Sequence, residues 1–149
     1  MSKAEKNTEV TEAVDVTEPT KKAPPAFILG KRPETVPGTV KFMLPDGTEA
    51  EIPVEFIYRT RKEFGEFWDK ITSESGETPQ DEKFSFARLS ERTDEKDARR
   101  VLACVRSWDL DDVELNKENL KQLFNEVAGA AAAFWDTYRA TMLEGRRGN

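Results

Sequence analysis

The chain has 149 residues, with 23 basic against 29 acidic side chains and a net charge of −6. That length sets one domain with a single modest core, and the acidic balance disfavours binding to a nucleic-acid backbone. Histidine is absent, which removes Ser-His-Asp and Cys-His pairs, a histidine general base and the common zinc sites.

An enzyme would have to work with carboxylates, lysine or tyrosine, and no paired motif for such chemistry is visible. No catalytic residue, metal or cofactor is therefore expected. No apolar run approaches the roughly 20 residues a membrane span needs, and the start MSKAEKNTEV has no apolar signal-peptide core. The single cysteine, Cys104, rules out an intrachain disulfide and fits a reducing cytoplasm.

In chain order, residues 1 to about 26 read as a disordered tail rich in Glu, Thr, Lys and Pro. Phe27, Ile28 and Leu29 form a small apolar patch that either docks on the folded body or serves as a short recognition segment. From Thr39, Val40, Phe42 and Leu44 alternate with Lys41 and Met43, and Asp46-Gly47 follows. Asp-Gly between alternating apolar runs predicts a hairpin, because the turn needs backbone angles these residues tolerate. The return strand carries Ala50, Ile52, Val54 and Phe56. Pro53 lacks a ladder donor, which predicts an edge strand or a kink there. A lone hairpin is marginal in water, so it must pack on helices or pair with another chain.

Thr60 and Glu63 form a capping box that opens a helix with Phe64, Phe67, Trp68 and Ile71 on one face, stopped at Ser75-Gly76. Phe84, Phe86 and Leu89 alternate with polar residues and predict a short strand or an irregular stretch on the core. Thr93 is the expected cap of a helix with Ala98, Val101, Leu102 and Val105 buried, ending near Trp108. Asn116 caps another with Leu120, Leu123, Phe124 and Val127 on one face. Gly129 marks a break, and Ala130 to Leu143 forms the last helix, closed by Gly145 and the basic pair Arg146-Arg147.

The expected fold is α+β: an N-terminal β-hairpin, as a small antiparallel sheet, packed on a bundle of about four helices. Residues 1–36 are expected to be a disordered or extended tail and 37–149 one folded domain. Within it the hairpin covers 39–58 and the helices about 60–74, 93–107, 116–128 and 130–145.

The acidic run Asp109 to Glu114 invites a calcium reading, but the fifth, sixth and twelfth loop positions hold Val113, Glu114 and Leu120. Calcium loops need an oxygen ligand, glycine and glutamate there, so a solvated turn is the better reading. Cys104 reads as a structural thiol, and the aromatics read mainly as core. The hairpin edge could add a strand to a partner sheet. The small residues Ala130 to Ala133 allow close helix approach, within the domain or in a homo-oligomer.

Trp108-Asp109-Leu110, Asn116-Lys117-Glu118-Asn119-Leu120, Leu123, Tyr138 and the terminal Arg146-Arg147-Gly148-Asn149 together resemble the phage tail assembly chaperones. The resemblance covers about the last fifty residues, including the helix from Thr93, and extends loosely to the Phe64–Ile71 helix and the hairpin. It implies a non-enzymatic protein of a long-tailed phage or prophage, acting in the host bacterial cytoplasm and absent from the mature virion. Its implied partners are the tape-measure protein, a long helical molecule kept soluble, and the tail-tube protein recruited to it. Many such chaperones are also made in a longer form by frameshifting. The long polar N-terminal tail has no explanation in the resemblance. Phe134, Trp135, Tyr138 and Met142, where not buried, are the expected protein-binding residues. The competing readings are another phage structural protein, minor tail or head–tail joining, and a generic protein-binding module.

Overall fold

The computed structural model describes residues 27–74 and 83–145. These fall into two units divided between Arg32 and Pro33. In the first, the Lys31 amide donates to the Ile28 carbonyl at 3.2 Å, closing a turn. The expected tail over residues 1–26 lies outside the described residues.

The second unit begins with the hairpin. Strand β1 (Thr35–Met43) pairs antiparallel with β2 (Glu49–Ile57), in register from Thr35↔Ile57 to Met43↔Glu49. Pairing thus starts at Thr35, earlier than the alternation suggested. The turn closes by a bond from the Leu44 amide to the Thr48 carbonyl (2.7 Å), with Gly47 at φ 90°. Asp46 accepts from the Thr48 amide and hydroxyl, and these bonds hold its carboxyl below the usual carboxylate range. Even-numbered residues face inward: Val40, Phe42, Ile52, Val54 and Phe56 are all buried, as a period of two requires.

A third strand, β3 (Val105–Trp108), pairs antiparallel with β2 and makes the sheet order β1-β2-β3. Its register runs Val54↔Trp108, Glu55↔Ser107 and Phe56↔Val105, with a bulge between Glu55 and Phe56. Two expectations are corrected here. Strand β2 is central, not an edge; Pro53 is tolerated because it sits where β3 runs out, its carbonyl accepting from the Asp109 amide at 2.8 Å. The segment 93–107 is also not one helix from a Thr93 cap.

Instead, α1 (Arg61–Ser73) is followed by α2 (Phe86–Leu102), capped by Ser85, whose hydroxyl accepts from the Arg88 amide at 3.3 Å. The chain then turns at Ala103-Cys104 into β3. Val101, Leu102, Val105 and Trp108 suit helical spacing, but a four-residue stretch also suits a strand. Pairing with the otherwise open side of β2 decides for the strand. Phe84 (80% exposed), Phe86 (72%) and Leu89 (41%) are neither strand nor core. Helix α2 buries Ala98 and Val101 near its other end, which leaves its first turn outside the packed region.

Helix α1 has the predicted capping box: Thr60 Oγ1 accepts from the Glu63 amide (3.1 Å), and Glu63 Oε1 accepts from the Thr60 amide (3.0 Å). Helix α3 (Lys117–Glu126) is capped by Asn116, whose Oδ1 accepts from the Asn119 amide at 2.8 Å. Gly129, at φ 97°, passes the chain into α4 (Ala130–Glu144). Helix α4 buries Ala130, Phe134, Tyr138 and Met142, an i, i+4 stripe facing the sheet and the other helices. Among the described residues the architecture is α+β, a small three-stranded antiparallel sheet with four helices.

Candidate protein-binding groove

The expected binding residues on α4 separate into two kinds. Phe134 (1% exposed), Tyr138 (0%) and Met142 (6%) are core; Trp135 is half-buried. A helix seated on a sheet must bury one stripe, and at four-residue spacing these three side chains form it. Phe134 meets Trp108 and Phe124, with ring centroids 6.4 and 6.2 Å away. Tyr138 packs on Phe56 at 5.2 Å.

Tyr138 also organises the polar atoms behind this stripe. Its hydroxyl donates to the Ile57 carbonyl (2.9 Å) and accepts from Arg59 Nη1 (2.8 Å). The same guanidinium donates to the Ala103 carbonyl at 3.0 Å and lies 4.0 Å from the Phe67 ring centre, a cation–π contact. The Arg59 amide donates to Met142 Sδ at 3.2 Å. Burial pushes the Tyr138 hydroxyl up to about 12, against the lowering effect of Arg59. It is a structural strut, and at neutral pH it holds its proton.

Trp135 points the other way, into a row of rings. It stacks on Trp68 (5.4 Å between centroids, 24° between planes) and on Phe64 (5.7 Å, 27°). Beside this row, where α1, α2 and α4 meet, opens a groove of about 360 Å³. Trp68, Ile71, Val101, Ala131, Ala132 and Trp135 supply its apolar lining. Ala131 and Ala132 keep the α4 wall low, so another backbone can come close. Asp97 and Arg100 complete the lining from α2. Arg100 Nη2 donates to the Ile71 carbonyl at 3.1 Å, satisfying an orphan acceptor at the end of α1. Desolvation raises the Asp97 carboxyl above the usual carboxylate range, Asp94 adds to this, and Arg100 and Lys96 offset part of it.

Sequence reasoning placed Trp68 on the buried face of α1, yet it is 42% exposed. Its pairing with Trp135 joins two helices far apart in sequence, and no local spacing announces it. Asp97 and Arg100 carry no local signal for the groove either, whereas Ala131 and Ala132 belong to the small-residue face expected to allow close helix approach.

The other candidates resolve into structure. The Asp109–Glu114 run is a turn: the Trp108 indole donates to the Val113 carbonyl (2.9 Å), and Asn119 Nδ2 donates to the Glu114 carbonyl (2.7 Å). Trp108 from one end of the turn and Asn119 from the other thus bond to the adjacent carbonyls of Val113 and Glu114. Among the described residues no cluster of acidic and cysteine side chains could hold a metal ion. Burial pushes the Cys104 thiol up to about 12, only partly offset by Arg59, so thiolate chemistry there is suppressed. No described helix is long and apolar enough to cross a membrane.

No curated protein and no solved structure matches the chain significantly. A family profile does match, that of the phage tail assembly chaperones, over residues 23–149. The match spans the whole sheet, all four helices and the groove between them, not only the C-terminal motifs. The chain belongs to the phage tail assembly chaperone family.

Proposed function

We propose that this chaperone binds the tape-measure protein, keeps it soluble and helps recruit tail-tube subunits to it. It acts in the host cytoplasm and leaves before the virion is complete. Family membership makes it an assembly factor for tail proteins, and the family is not an enzyme family. The tape-measure protein is the partner implied by the resemblance of the C-terminal motifs, and its long helices need their apolar faces covered before assembly.

The observation that carries this reading is the groove between α1, α2 and α4. It is apolar, bounded by the stacked Trp68 and Trp135, and floored by alanines. An amphipathic helix seats its apolar face in such a groove, with aromatic residues as the anchors that dominate affinity. Of the four aromatic and methionine residues on α4, Trp135 is the contact residue; Phe134, Tyr138 and Met142 hold it in place from the core.

The test is co-expression with the tape-measure protein, comparing the wild type with Trp68→Glu and Ala132→Glu, two exposed positions in the groove. Both variants are expected to keep the wild-type circular dichroism spectrum and to weaken capture of the tape-measure protein about tenfold or more. Undiminished capture by both folded variants would sink the assignment of this groove. Finding the chain as a stoichiometric component of purified virions would instead favour a structural tail role.

A further inference from the structure

The groove between α1, α2 and α4 holds a charge that the fold leaves without a partner. Asp97 lines it from α2, one turn before Val101. Among the described residues, the one other ionisable side chain in the lining is Arg100, and its guanidinium donates to the Ile71 carbonyl at the end of α1. Asp97 has neither a hydrogen bond nor an ion pair among the described residues; Arg100, Lys96 and Asp94 act on it only through their charge. The carboxylate is half-buried, and its lost hydration outweighs the attraction of the two cations. Such a group opposes folding, so the packing of the free chain supplies no reason for it.

That carboxylate sets the chemistry of what can enter. A purely apolar helix seated here would strip more water from Asp97 and give it nothing in return. A helix carrying a lysine or arginine at that point supplies an ion pair instead. The penalty on the first occupant sharpens the choice as much as the attraction for the second. The tryptophans of the same groove favour the same residue type. Trp68 and Trp135 stack 5.4 Å apart, and Trp68 is exposed. A long basic side chain can lay its methylene stem on indole surface and is drawn there by its charge as well.

We infer that the groove selects a partner helix whose apolar face carries one basic residue, its stem on Trp68 and Trp135 and its charged head on Asp97. This rests on the reading of the groove as the seat of a tape-measure helix, and adds to that reading the charge the helix must bring. Asp97 is then a specificity-determining residue: it destabilises the free chaperone and rejects apolar helices that lack the cation.

The experiment co-expresses the tagged full-length chaperone with the tape-measure protein and measures how much of the latter it retains. Asp97→Asn keeps the shape of the side chain and removes its charge; Trp68→Glu serves as the control for the groove itself. Asp97→Asn is expected to keep the wild-type circular dichroism spectrum and to weaken capture about tenfold or more. Replacing the tape-measure lysines and arginines singly by glutamine should then find one whose loss weakens capture by the wild type equally. In the Asp97→Asn background the same replacement should add nothing further, the non-additivity expected of a direct pair. If Trp68→Glu abolishes capture while Asp97→Asn captures as well as the wild type or better, the groove stands and its selection for a cation falls. If both variants capture undiminished, the groove and the cation fall together. Weakened capture by Asp97→Asn with no basic residue coupled to it also overturns the proposal. So does a changed oligomeric state of the Asp97→Asn chaperone alone with capture intact, which would assign the carboxylate to a contact with a second copy of this chain.

Discussion

Gly38 shows how a single side chain's absence shapes this molecule. A Cβ built there would lie 2.6 Å from Phe56 Cε2 and 3.0 Å from Cδ2. The Phe56 ring lies across the strand at this point and is fully buried against Tyr138. Gly38→Ala therefore forces a core ring to move, and overpacking of this kind costs about 1–3 kcal/mol. Urea unfolding would register the loss as a lower midpoint; an unchanged midpoint would mean the ring has room to yield. Asp97 makes a different residue-scale case. Its folded-state carboxyl is raised, mainly by desolvation, so its charge opposes folding. That penalty is present above the folded pKa and vanishes as the pH falls below the unfolded value. Asp97→Asn should thus raise the melting temperature at pH 7, with the gain shrinking towards zero through the carboxylate range. A gain that is the same at every pH would point to a packing effect instead.

Among the elements, α1 is the one whose sequence signals and structure agree most closely. Its capping box satisfies two amide groups reciprocally through Thr60 and Glu63. Thr60→Ala should destabilise the chain by about 1 kcal/mol, measured by chemical denaturation; no loss would mean that water serves the freed amides equally well. The hairpin was also legible, since Asp46-Gly47 and the alternation on both sides are local signals. Strand β3 was not. Val105–Trp108 has too few residues for its period to distinguish strand from helix, and its pairing partner lies about fifty residues earlier in the chain. The start of α2 differs from the expected Thr93 cap for a related reason. Ser85 and Thr93 both carry hydroxyls that can cap a helix, and the alternation of Phe84, Phe86 and Leu89 does not reveal that they lie on an exposed stretch.

For the whole molecule, α4 joins the core to the candidate groove. Its buried stripe seats on the sheet and helices, and Trp135 and the alanines reach the aromatic groove. Tyr138 and Arg59 tie α4 to the end of β2 and to the turn before β3, so the groove rests on this set of buried contacts. Composition and local pattern alone determined the α+β class, the hairpin and the family resemblance. Each of these rests on periodicity, caps and turns that a few neighbouring residues encode. Tertiary structure alone decided that β2 is central, and that Phe134, Tyr138 and Met142 are core while Trp135 and Trp68 line a groove. The physical reason is that burial and strand pairing depend on which distant segment arrives alongside, and a local pattern marks an apolar face without stating what will cover it.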